Sequence, residues 1–512
     1  MPRDELEARL AKLEEDTRRG DAKAVEKHHA EGKLTARERI DALCDAGSFR
    51  EELMLAETHV TEFGMDKRRR PGDGVIVGHG LIDGRAVYAY AQDWTVLAGT
   101  VGAAHGEKIA YAIDRARMLG VPVVGLWDSA GARIQAGLEV TKAIGKIFFA
   151  NSMASGAVPQ ISAVMGPCIG VGSYSPALTD IVLMVRGTSQ MFITGPAVIK
   201  EVLGQEVTPE ELGGAKVHGE LSGCADIVAD DDRACIAAIR RLLSLLPSSF
   251  ESPVPRLASR TDAGEDPGPL VPEDPRKPYD VRAVIARLAD DGELMELKPR
   301  FARNMTIGLG RIDGRTVGFV ANNPQHLAGA IDVDAADKAA RFIRFCDAFG
   351  IPIVTLVDVP GFLPGMKQEH AGIIRHGAKM LYAYSEATVP KITVYLRKGY
   401  GGAKQAMSTR ELGADLVLLW PGVELAVMGA EAAVEVLHRR EIEAAADPAA
   451  VRQEKVAEFR ERFSGPFDAL RTGFAHAAVR PAETRARLID ALRTLETKRV
   501  ERPRKKHDVM PV

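Results

Sequence analysis

The sequence is poor in cysteine and lacks metal-binding spacing. Its 512 residues include five cysteines, which are scattered, odd in number and without a CxxC pair. This pattern favours reduced thiols and predicts a cytoplasmic protein. The histidines show no HExxH spacing, so we expect no metal site. Neither Ser129 nor Ser175 has Gly-x-Ser-x-Gly context, which argues against a serine hydrolase.

Long apolar runs and an excess of charge are also missing. The first residues, MPRDELEARL, contain no apolar signal segment. No apolar run approaches the ~18–20 residues of a membrane-spanning helix. Lysine and arginine number 67 against 70 aspartates and glutamates, which gives a net charge of -3. We therefore expect a soluble protein that binds neither nucleic acid nor a membrane.

The sequence does contain a long internal repeat. The segment from Gly78 to Gly131 reappears without a gap from Gly308 to Gly361, at a constant offset of 230 residues. The matched pieces include Ile-Asp-Gly-Arg at 82–85 and 312–315, Leu-Ala-Gly at 97–99 and 327–329, and Asp128-Ser-Ala-Gly with Asp358-Val-Pro-Gly. A chain of this length is long for one core. The repeat predicts two halves with one fold.

Periodicity predicts the type of fold within each half. Runs of β-forming residues between Gly72 and Tyr90 precede a helix at about 104–118, a strand from Val121 to Trp127, a glycine-rich turn and a further helix. This alternation predicts an α/β fold of stacked ββα units with helices outside.

Other segments flank the repeat. Amphipathic spacing, with capping-box residues Thr35 and Glu38, predicts a helical arm over residues 1–45. Seven prolines interrupt residues 251–280, which predicts an interdomain linker. We therefore expect an N-terminal domain over 1–250, a C-terminal domain over 281–512, and a solvated basic end from Arg502.

Each half places two glycine-rich turns directly after predicted strands. They begin at Asp128 and Gly166 in the first half, and at Asp358 and Gly399 in the second. Small residues let a ligand approach the backbone, and amides at a following helix N-terminus point towards negative charge. Two amides converging on one oxygen form an oxyanion hole, worth roughly 3–4 kcal/mol per donor. At any single turn, the alternative is that the glycines only allow tight packing. Four turns at matched positions in two halves make that alternative less favoured.

Nine short motifs occur in order between about residue 30 and residue 440. They are Gly-Lys-Leu-Thr-Ala-Arg-Glu-Arg-Ile, Pro-Gly-Asp-Gly-Val, Gly-Pro-Cys, Tyr-Ser-Pro-Ala-Leu-Thr-Asp, Glu-Leu-Gly-Gly-Ala, Arg-Phe-Cys-Asp-Ala-Phe, Asp-Val-Pro-Gly-Phe-Leu-Pro-Gly, Gly-Ile-Ile-Arg-His-Gly-Ala-Lys and Ala-Thr-Val-Pro-Lys-Ile-Thr-Val. Together they resemble the carboxyltransferase (β) subunit of biotin-dependent acyl-CoA carboxylases, of the propionyl-CoA carboxylase type.

The resemblance implies two duplicated crotonase-like domains in a homo-oligomer, a hexamer with active sites between the N-terminal domain of one subunit and the C-terminal domain of another. It implies that carboxybiotin releases CO2, and that the biotin nitrogen takes the α-proton of an acyl-CoA whose enolate attacks the CO2. No side-chain base is then required. An Ala-Met-Lys-Met biotinylation motif and an ATP module are absent from the sequence. A separate biotin carboxylase/biotin carrier (α) subunit is therefore expected to supply both.

The resemblance also assigns site residues. Two oxyanion holes would stabilise the enolates of the thioester and of biotin. The residues implied at the thioester are Gly170 and Val171 with the turn at Gly131, Ala132 and Arg133; those implied at biotin are Gly402 and Ala403 with the turn at Gly361 and Phe362; Lys404 and Gln405 follow as substrate-binding residues.

Several positions depart from the family pattern. Ile169 and Val171 are larger than usual, Ala130 replaces a glycine, and Lys404 and Gln405 replace the usual Tyr and Asp. In the family, the residue at the position of Gln405 lies in the acyl pocket. We therefore predict an acyl selectivity unlike plain propionyl, for a polar or anionic group if Lys404 faces it. A solvated or CoA-phosphate-facing Lys404 is the alternative.

The predicted activity is carboxyl transfer from carboxybiotin to the α-carbon of an acyl-CoA. Two alternatives stay open. One is a biotin-dependent decarboxylase subunit that works in the reverse direction. The other is a catalytically silent structural paralogue, which the residues at 130 and 171 motivate.

Overall fold

The computed structural model describes residues 2–258, 264–463 and 465–511. Contacts divide the chain into two compact units, Met1–Pro253 and Val254–Val512. Each unit has a mixed sheet, which contains eight strands among the described residues. None of the described helices is long and apolar enough to cross a membrane.

The first unit contains the following elements. Its strands are β1 Arg50–Glu52, β2 Val75–Ile82, β3 Arg85–Gln92, β4 Val123–Ser129, β5 Gln160–Ile169, β6 Ile181–Val185, β7 Gln190–Phe192 and β8 Ile227–Ala229. Its helices are α1 Arg3–Arg19, α2 Ala22–Ala30, α3 Ala36–Leu43, α4 Ala103–Leu119, α5 Leu138–Ala154, α6 Tyr174–Leu178, α7 Pro196–Leu203, α8 Pro209–Gly213, α9 Ala215–Glu220 and α10 Asp232–Leu245.

The second unit follows the same plan with a longer helical end. Its strands are β9 Leu294–Leu297, β10 Met305–Ile312, β11 Arg315–Asn322, β12 Ile353–Val359, β13 Lys391–Tyr400, β14 Leu416–Leu419, β15 Glu424–Ala426 and β16 Ala477–Ala478. Its helices are α11 Val281–Leu288, α12 Val333–Ala348, α13 Met366–His370, α14 Ile373–Glu386, α15 Gly401–Ala406, α16 Ala430–Leu437, α17 Arg439–Ala444, α18 Pro448–Phe463, α19 Pro466–Arg471 and α20 Thr484–Thr494.

The two sheets have the same topology. The order is β1-β2-β3-β4-β5-β6-β8 with β7 beside β5, and the matching order β9-β10-β11-β12-β13-β14-β16 with β15 beside β13. The first three strands of each order pair antiparallel and the rest are parallel. Pairing of Tyr88 with Val123 recurs as Gly318 with Ile353. The predicted α/β fold of two duplicated halves is confirmed.

The central strands are buried on both faces, as expected for parallel strands covered by helices. All seven residues of β4 are buried, including Asp128 and Ser129 at its end. Trp127 packs edge-to-face on Tyr90 with ring centroids 5.5 Å apart, and its indole N–H donates to Ser162 at 3.2 Å. The buried indole N–H of Trp127 therefore has a hydrogen-bond acceptor within the sheet.

Local signals explain the edges of several elements. The capping box predicted at Thr35 and Glu38 is present at the start of α3. Helix α4 ends at Gly120, whose left-handed conformation suits a residue without a Cβ. The helix predicted from about Arg133 starts later, at Leu138, because a short 3-10 turn over Ile134–Ala136 comes first.

The proline-rich segment has close contacts with the second unit. The Leu257 amide donates to the Gly314 carbonyl at 2.8 Å, and Arg397 donates to the carbonyls of Pro272 and Lys277 at 3.2 and 2.9 Å. Residues 259–263 of the predicted linker lie outside the described residues. The domain boundaries around it stay a prediction.

The basic C-terminal end is exposed but attached. Arg502 donates to the carbonyls of Glu386 and Ala387, at 3.1 and 2.8 Å, where α14 ends. Lys505 also pairs with Glu386 at 2.8 Å. Cations are favoured at a helix C-terminus because the last carbonyls have no partner within the helix. The end is exposed, as the sequence predicts, and these contacts attach it to α14.

A buried histidine connects a loop of the first unit to the end of β3. His105 of α4 donates from Nδ1 to the Asp73 carbonyl at 2.9 Å and accepts from the Gln92 side-chain amide at 3.0 Å. The Gln92 carbonyl oxygen in turn accepts from the Asp128 amide at 3.2 Å. Burial lowers the pKa of His105 to about 3, and the charge of Arg133 acts in the same direction. The imidazole is therefore neutral at physiological pH.

Acid should destabilise the first unit through His105. Between pH 6.5 and pH 3 the unfolded chain binds a proton at this side chain and the folded chain does not. Stability should therefore fall with decreasing pH by up to ~1.4 kcal/mol per pH unit. Urea unfolding of wild type and His105→Gln at pH 7.5 and 5.5 measures this, and the variant should lose less stability on acidification. The exposed His59→Gln is the control, and equal pH dependence in all three proteins would contradict the assignment.

Candidate active site

Two parallel strands end side by side in each unit, and a turn follows each strand. In the first unit β4 leads to Gly131, and β5 leads to a 3-10 helix over Gly170–Ser173. In the second unit β12 leads to Gly361, and β13 leads to α15. Carboxyl ends of parallel strands share one edge of a sheet, so the two turns of each unit are neighbours. The structure thus brings together the turns that the sequence singled out.

The paired turns are in direct contact. Gly131 has a φ of +96°, and a Cβ added there would lie 2.7 Å from the Ile169 carbonyl oxygen. Glycine is therefore required at 131 both for its conformation and for the close approach. In the second unit, a Cβ on Gly402 would lie 3.9 Å from the Phe362 ring.

One amide in each first turn points away from its neighbouring loop. Val101 bridges Ala132 by donating to the Gly131 carbonyl and accepting from the Arg133 amide, both at 2.9 Å. In such a parallel bridge the N–H of the bridged residue faces the opposite side. Ile331 forms the same bridge with Phe362 in the second unit. Ala132 and Phe362 thus present duplicated backbone donors.

The remaining turn residues have different surroundings. The Gly131 amide already donates to the Ser129 hydroxyl at 3.1 Å. The φ angle of Ala130 is not positive, so its methyl group does not strain the turn. The structure thus accommodates this departure from the family pattern.

The second turn of each pair starts a short helix. Gly170 has a φ of +68° and opens the 3-10 helix; the side chain of Val171 lies outside the described residues. Gly402 and Ala403 lie in the first turn of α15, which has no side-chain cap. Amides in the first turn of a helix have no partner within that helix. The backbone at 402 and 403 can therefore donate to a ligand.

Arg133 is turned into the protein. Its guanidinium pairs with the Asp73 carboxylate and donates to the Thr100 hydroxyl at 3.2 Å and the Thr100 carbonyl at 2.7 Å. Only 2% of the residue is exposed. This geometry does not support the substrate-binding role predicted for Arg133, because its donors are used in holding the turn.

Lys404 and Gln405 diverge on α15. The Lys404 ammonium lies over the Phe474 ring, 4.8 Å from its centroid, and burial lowers the pKa of this lysine. Gln405 is exposed. The structure therefore gives no support to an acyl-facing or phosphate-facing Lys404, and leaves Gln405 available.

Sequence reasoning missed two buried carboxylates beside the turns. Asp128 and Asp358 are both fully buried, at the ends of β4 and β12. Arg39 lies 2.9 Å from Asp128, and Arg397 lies 3.0 Å from Asp358. The available signal was the Asp that opens each matched turn of the repeat, but its partners are remote in sequence.

An open cavity lies beside the first turn. Its volume is about 240 Å³, and Arg68, Leu97, Ala130, Ala132 and Ile134 are among the residues that line it. Within the described ranges, no group of three or more His, Cys, Asp or Glu side chains is placed to hold a metal ion. The local chemistry is therefore that of backbone amides beside a small cavity.

Comparisons with known proteins agree with this geometry. The family profile described as the carboxyl transferase domain matches residues 27–510. The methylmalonyl-CoA decarboxylase subunit alpha of Propionigenium modestum is 50% identical over 496 residues, 96% of each chain. The propionyl-CoA carboxylase carboxyltransferase subunit of Haloferax mediterranei is 50% identical over 512 residues, 99% of each chain.

Solved structures show the same relationship. A transcarboxylase 12S structure, described as a hexamer with methylmalonyl-coenzyme A and methylmalonic acid bound, matches with a TM-score of 0.98 and 47% identity over 100% of this chain and 99% of the other. A single-chain, multi-domain long-chain acyl-CoA carboxylase matches with a TM-score of 0.82 and 28% identity, over 96% of this chain and 49% of that chain. The crotonase-like fold implied by the sequence resemblance is confirmed. The chain belongs to the carboxyl transferase family and is a carboxyltransferase of the acyl-CoA carboxylase type.

Proposed function

We propose that this chain moves CO2 from carboxybiotin, held by a separate carrier subunit, to the α-carbon of an acyl-CoA. The product is a malonyl-CoA-type thioester. The observation that carries the proposal is the pair of outward-facing amides at Ala132 and Phe362, which recur at the repeat offset of 230 residues. Two reactants that develop negative oxygens need two such sites.

The first pair of turns is assigned to the thioester. As its α-proton leaves, charge grows on the thioester oxygen, and preorganised N–H groups stabilise that charge without reorganising. The Ala132 amide and the backbone at Gly170 and Val171 serve as donors in this assignment. Gly131 contributes by its conformation, since its own amide is bound to Ser129.

The second pair of turns is assigned to biotin, which supplies the CO2 and a basic nitrogen when bound. Gly402 and Ala403 lie in an uncapped first helical turn, and the Phe362 ring lies beside Gly402. Uncharged donors beside an apolar ring suit the neutral carbonyl of a ureido group. The donors hold the oxygen on which negative charge develops, and Gly361 shapes the turn.

Gln405 is the proposed selectivity residue. It is exposed on α15, whereas Lys404 is engaged with Phe474. An amide at this position replaces the carboxylate of the propionyl-type pattern, so the preferred acyl group should differ from plain propionyl. The proposal rests on Gln405 and not on an anionic acyl group that faces Lys404, since the Lys404 ammonium lies over the Phe474 ring.

Decarboxylation in the reverse direction is the second candidate. Two relatives of 50% and 48% identity are methylmalonyl-CoA decarboxylase alpha subunits, from Propionigenium modestum and Veillonella parvula. The same donors serve both directions, because the same oxygens become negative.

We propose a cytoplasmic hexamer that works with a biotin carboxylase/biotin carrier (α) subunit in the forward direction.

An acyl-CoA panel tests the activity. The purified chain is combined with a matching biotinylated α subunit, ATP, bicarbonate and individual acyl-CoAs, and carboxylated thioesters are quantified. We expect a product with at least one thioester and a highest kcat/KM for a substrate other than acetyl- or propionyl-CoA. Absence of product from every thioester, together with no carboxylation of free biotin by methylmalonyl-CoA, would reject the activity.

Gln405→Asp should move selectivity towards propionyl-CoA. We expect a gain of about 10-fold in kcat/KM for propionyl-CoA relative to the substrate preferred by wild type, since one pocket contact is worth ~1–3 kcal/mol. The neighbouring Lys404→Gln is the control and should leave the ratio unchanged. A shift with the control and none with Gln405→Asp would reverse the assignment.

Gly131→Ala should strongly lower the rate of carboxyl transfer without unfolding the chain. The added Cβ meets the Ile169 carbonyl at 2.7 Å in a conformation that alanine rarely adopts, so the turn must move. Loss of one aligned donor predicts a decrease of about 100- to 1,000-fold in kcat. Gly145→Ala is the matched control, because a Cβ there meets no atom within 4 Å on helix α5. Equal rates in both variants would contradict a role for the first turn.

A further inference from the structure

Each unit buries one carboxylate directly before its glycine turn. Asp128 and Asp358 stand at the repeat offset of 230, and both are 0% exposed. The strand register shifts at both positions, between Trp127 and Ser129 and between Val357 and Val359. Such an irregularity re-aims a side chain. Both carboxylates are therefore set at the start of the turn that carries a proposed donor.

Asp128 is also tied to the turn through its backbone. A Cβ on Gly99 would lie 2.1 Å from the Asp128 carbonyl oxygen, so this loop packs tightly on the strand end. The next residue, Ala130, donates to the Ala98 carbonyl at 3.0 Å. The backbone that connects Asp128 to Ala132 is therefore packed against residues 98–99.

In the first unit the cations come from the helical arm. Lys33 donates to Asp128 at 3.3 Å, and Arg39 donates to it at 2.9 Å. Arg39 also bonds to Asp232 at 2.8 Å and to the Met165 carbonyl at 3.3 Å. Both residues lie outside the internal repeat, between α2 and the end of α3.

In the second unit the cations come from β13, the strand that pairs with β12. Arg397 and Lys398, at the end of β13, lie 3.0 and 3.6 Å from Asp358. Lys398 also donates to the Pro275 carbonyl at 3.2 Å, and the Arg397 guanidinium lies 5.0 Å from the centre of the Tyr279 ring. This unit needs no separate arm to pair its carboxylate.

A glycine explains why the first unit differs. The strands β5 and β13 align at an offset of 231, so Gly166 occupies the position of Arg397. A Cβ on Gly166 would lie 2.0 Å from Asp128 Oδ1. A side chain on β5 is thus excluded at this point, and the positive charge has to arrive from another element.

We propose that Lys33 and Arg39 are positioning residues of the first turn, which act through Asp128, and that Lys398 and Arg397 act through Asp358 on the second turn. The helical arm then controls the thioester site alone. The sites assigned to the two reactants rest on the proposed function, but the separate dependence of the two turns does not.

Two matched lysine variants test the proposal. Lys33→Met and Lys398→Met each remove one charge from a buried carboxylate while keeping the length of the side chain and leaving an arginine in place. The assay is carboxyl transfer from methylmalonyl-CoA to free biotin by the full chain, with each substrate varied. Lys33→Met should lower kcat/KM for the thioester about 10- to 100-fold, as expected for a misplaced group, and change KM for biotin less than about 2-fold. Lys398→Met should show the opposite pattern.

Rescue and control variants separate positioning from general destabilisation. Lys33→Arg keeps the charge and should restore most of the thioester kcat/KM. Arg117→Met breaks a surface ion pair with Asp114 on α4, at 2.7 Å, and should change neither substrate constant. The proposal would be overturned if Lys33→Met left kcat/KM for the thioester unchanged. It would also be overturned if Lys33→Met impaired the use of biotin, measured by its KM, as strongly as it lowered kcat/KM for the thioester.

Hydrogen–deuterium exchange gives a readout independent of turnover. Lys33→Met should accelerate amide exchange in peptides that cover residues 128–134 and leave those covering 358–364 unchanged, with the reverse for Lys398→Met. Acceleration in both turns, or in neither, would overturn the inference. If wild type transfers no carboxyl group to biotin, the proposed function falls, and the exchange pattern still decides whether the carboxylates position the turns.

Discussion

Burial of an ionised carboxylate is the constraint on which each unit of this protein depends. Moving such a group out of water costs several kcal/mol unless cations and hydrogen bonds compensate it. Asp128 and Asp358 are fully buried at the ends of β4 and β12, and each has two cationic side chains within 4 Å. Those cations offset the cost of burying the carboxylate at the strand end. The turn that follows therefore inherits its position from ion pairs.

The two units keep their backbone donors and change the source of charge. A backbone amide is available whatever the side chain, so Ala132 and Phe362 can occupy equivalent bridges. A buried carboxylate does need a cation, but that cation can come from any element of the fold that reaches it. Gly166 excludes a side chain from β5, and Lys33 and Arg39 enter from the arm; the second unit uses Arg397 and Lys398 of its own strand. Duplication thus preserved geometry more strictly than composition.

The charged side chains near the turns mostly form buried ion pairs and hydrogen bonds that hold the turns, and few of them face the reactive surface. Arg133 pairs with Asp73, and the neutral His105 joins Asp73 to Gln92, which accepts from the Asp128 amide. The groups directed outward are backbone N–H groups. This division suits a reaction in which the carrier of the transferred group supplies the base, since the protein then has to supply only preorganised donors.

The sequence by itself determined the duplication, the order of strands and turns, the capping box at Thr35 and the family. These features are encoded in local periodicity, in turn residues and in spacing, all of which can be read along the chain. The family resemblance also implied which turns would be paired. Tertiary structure alone decided where individual charges point. Arg133 turns inward to Asp73, Lys404 lies on Phe474, and Lys33 reaches Asp128 across 95 residues of chain. Such pairings depend on which remote elements share a burial site, and a buried charge takes whichever partner the packing brings to it.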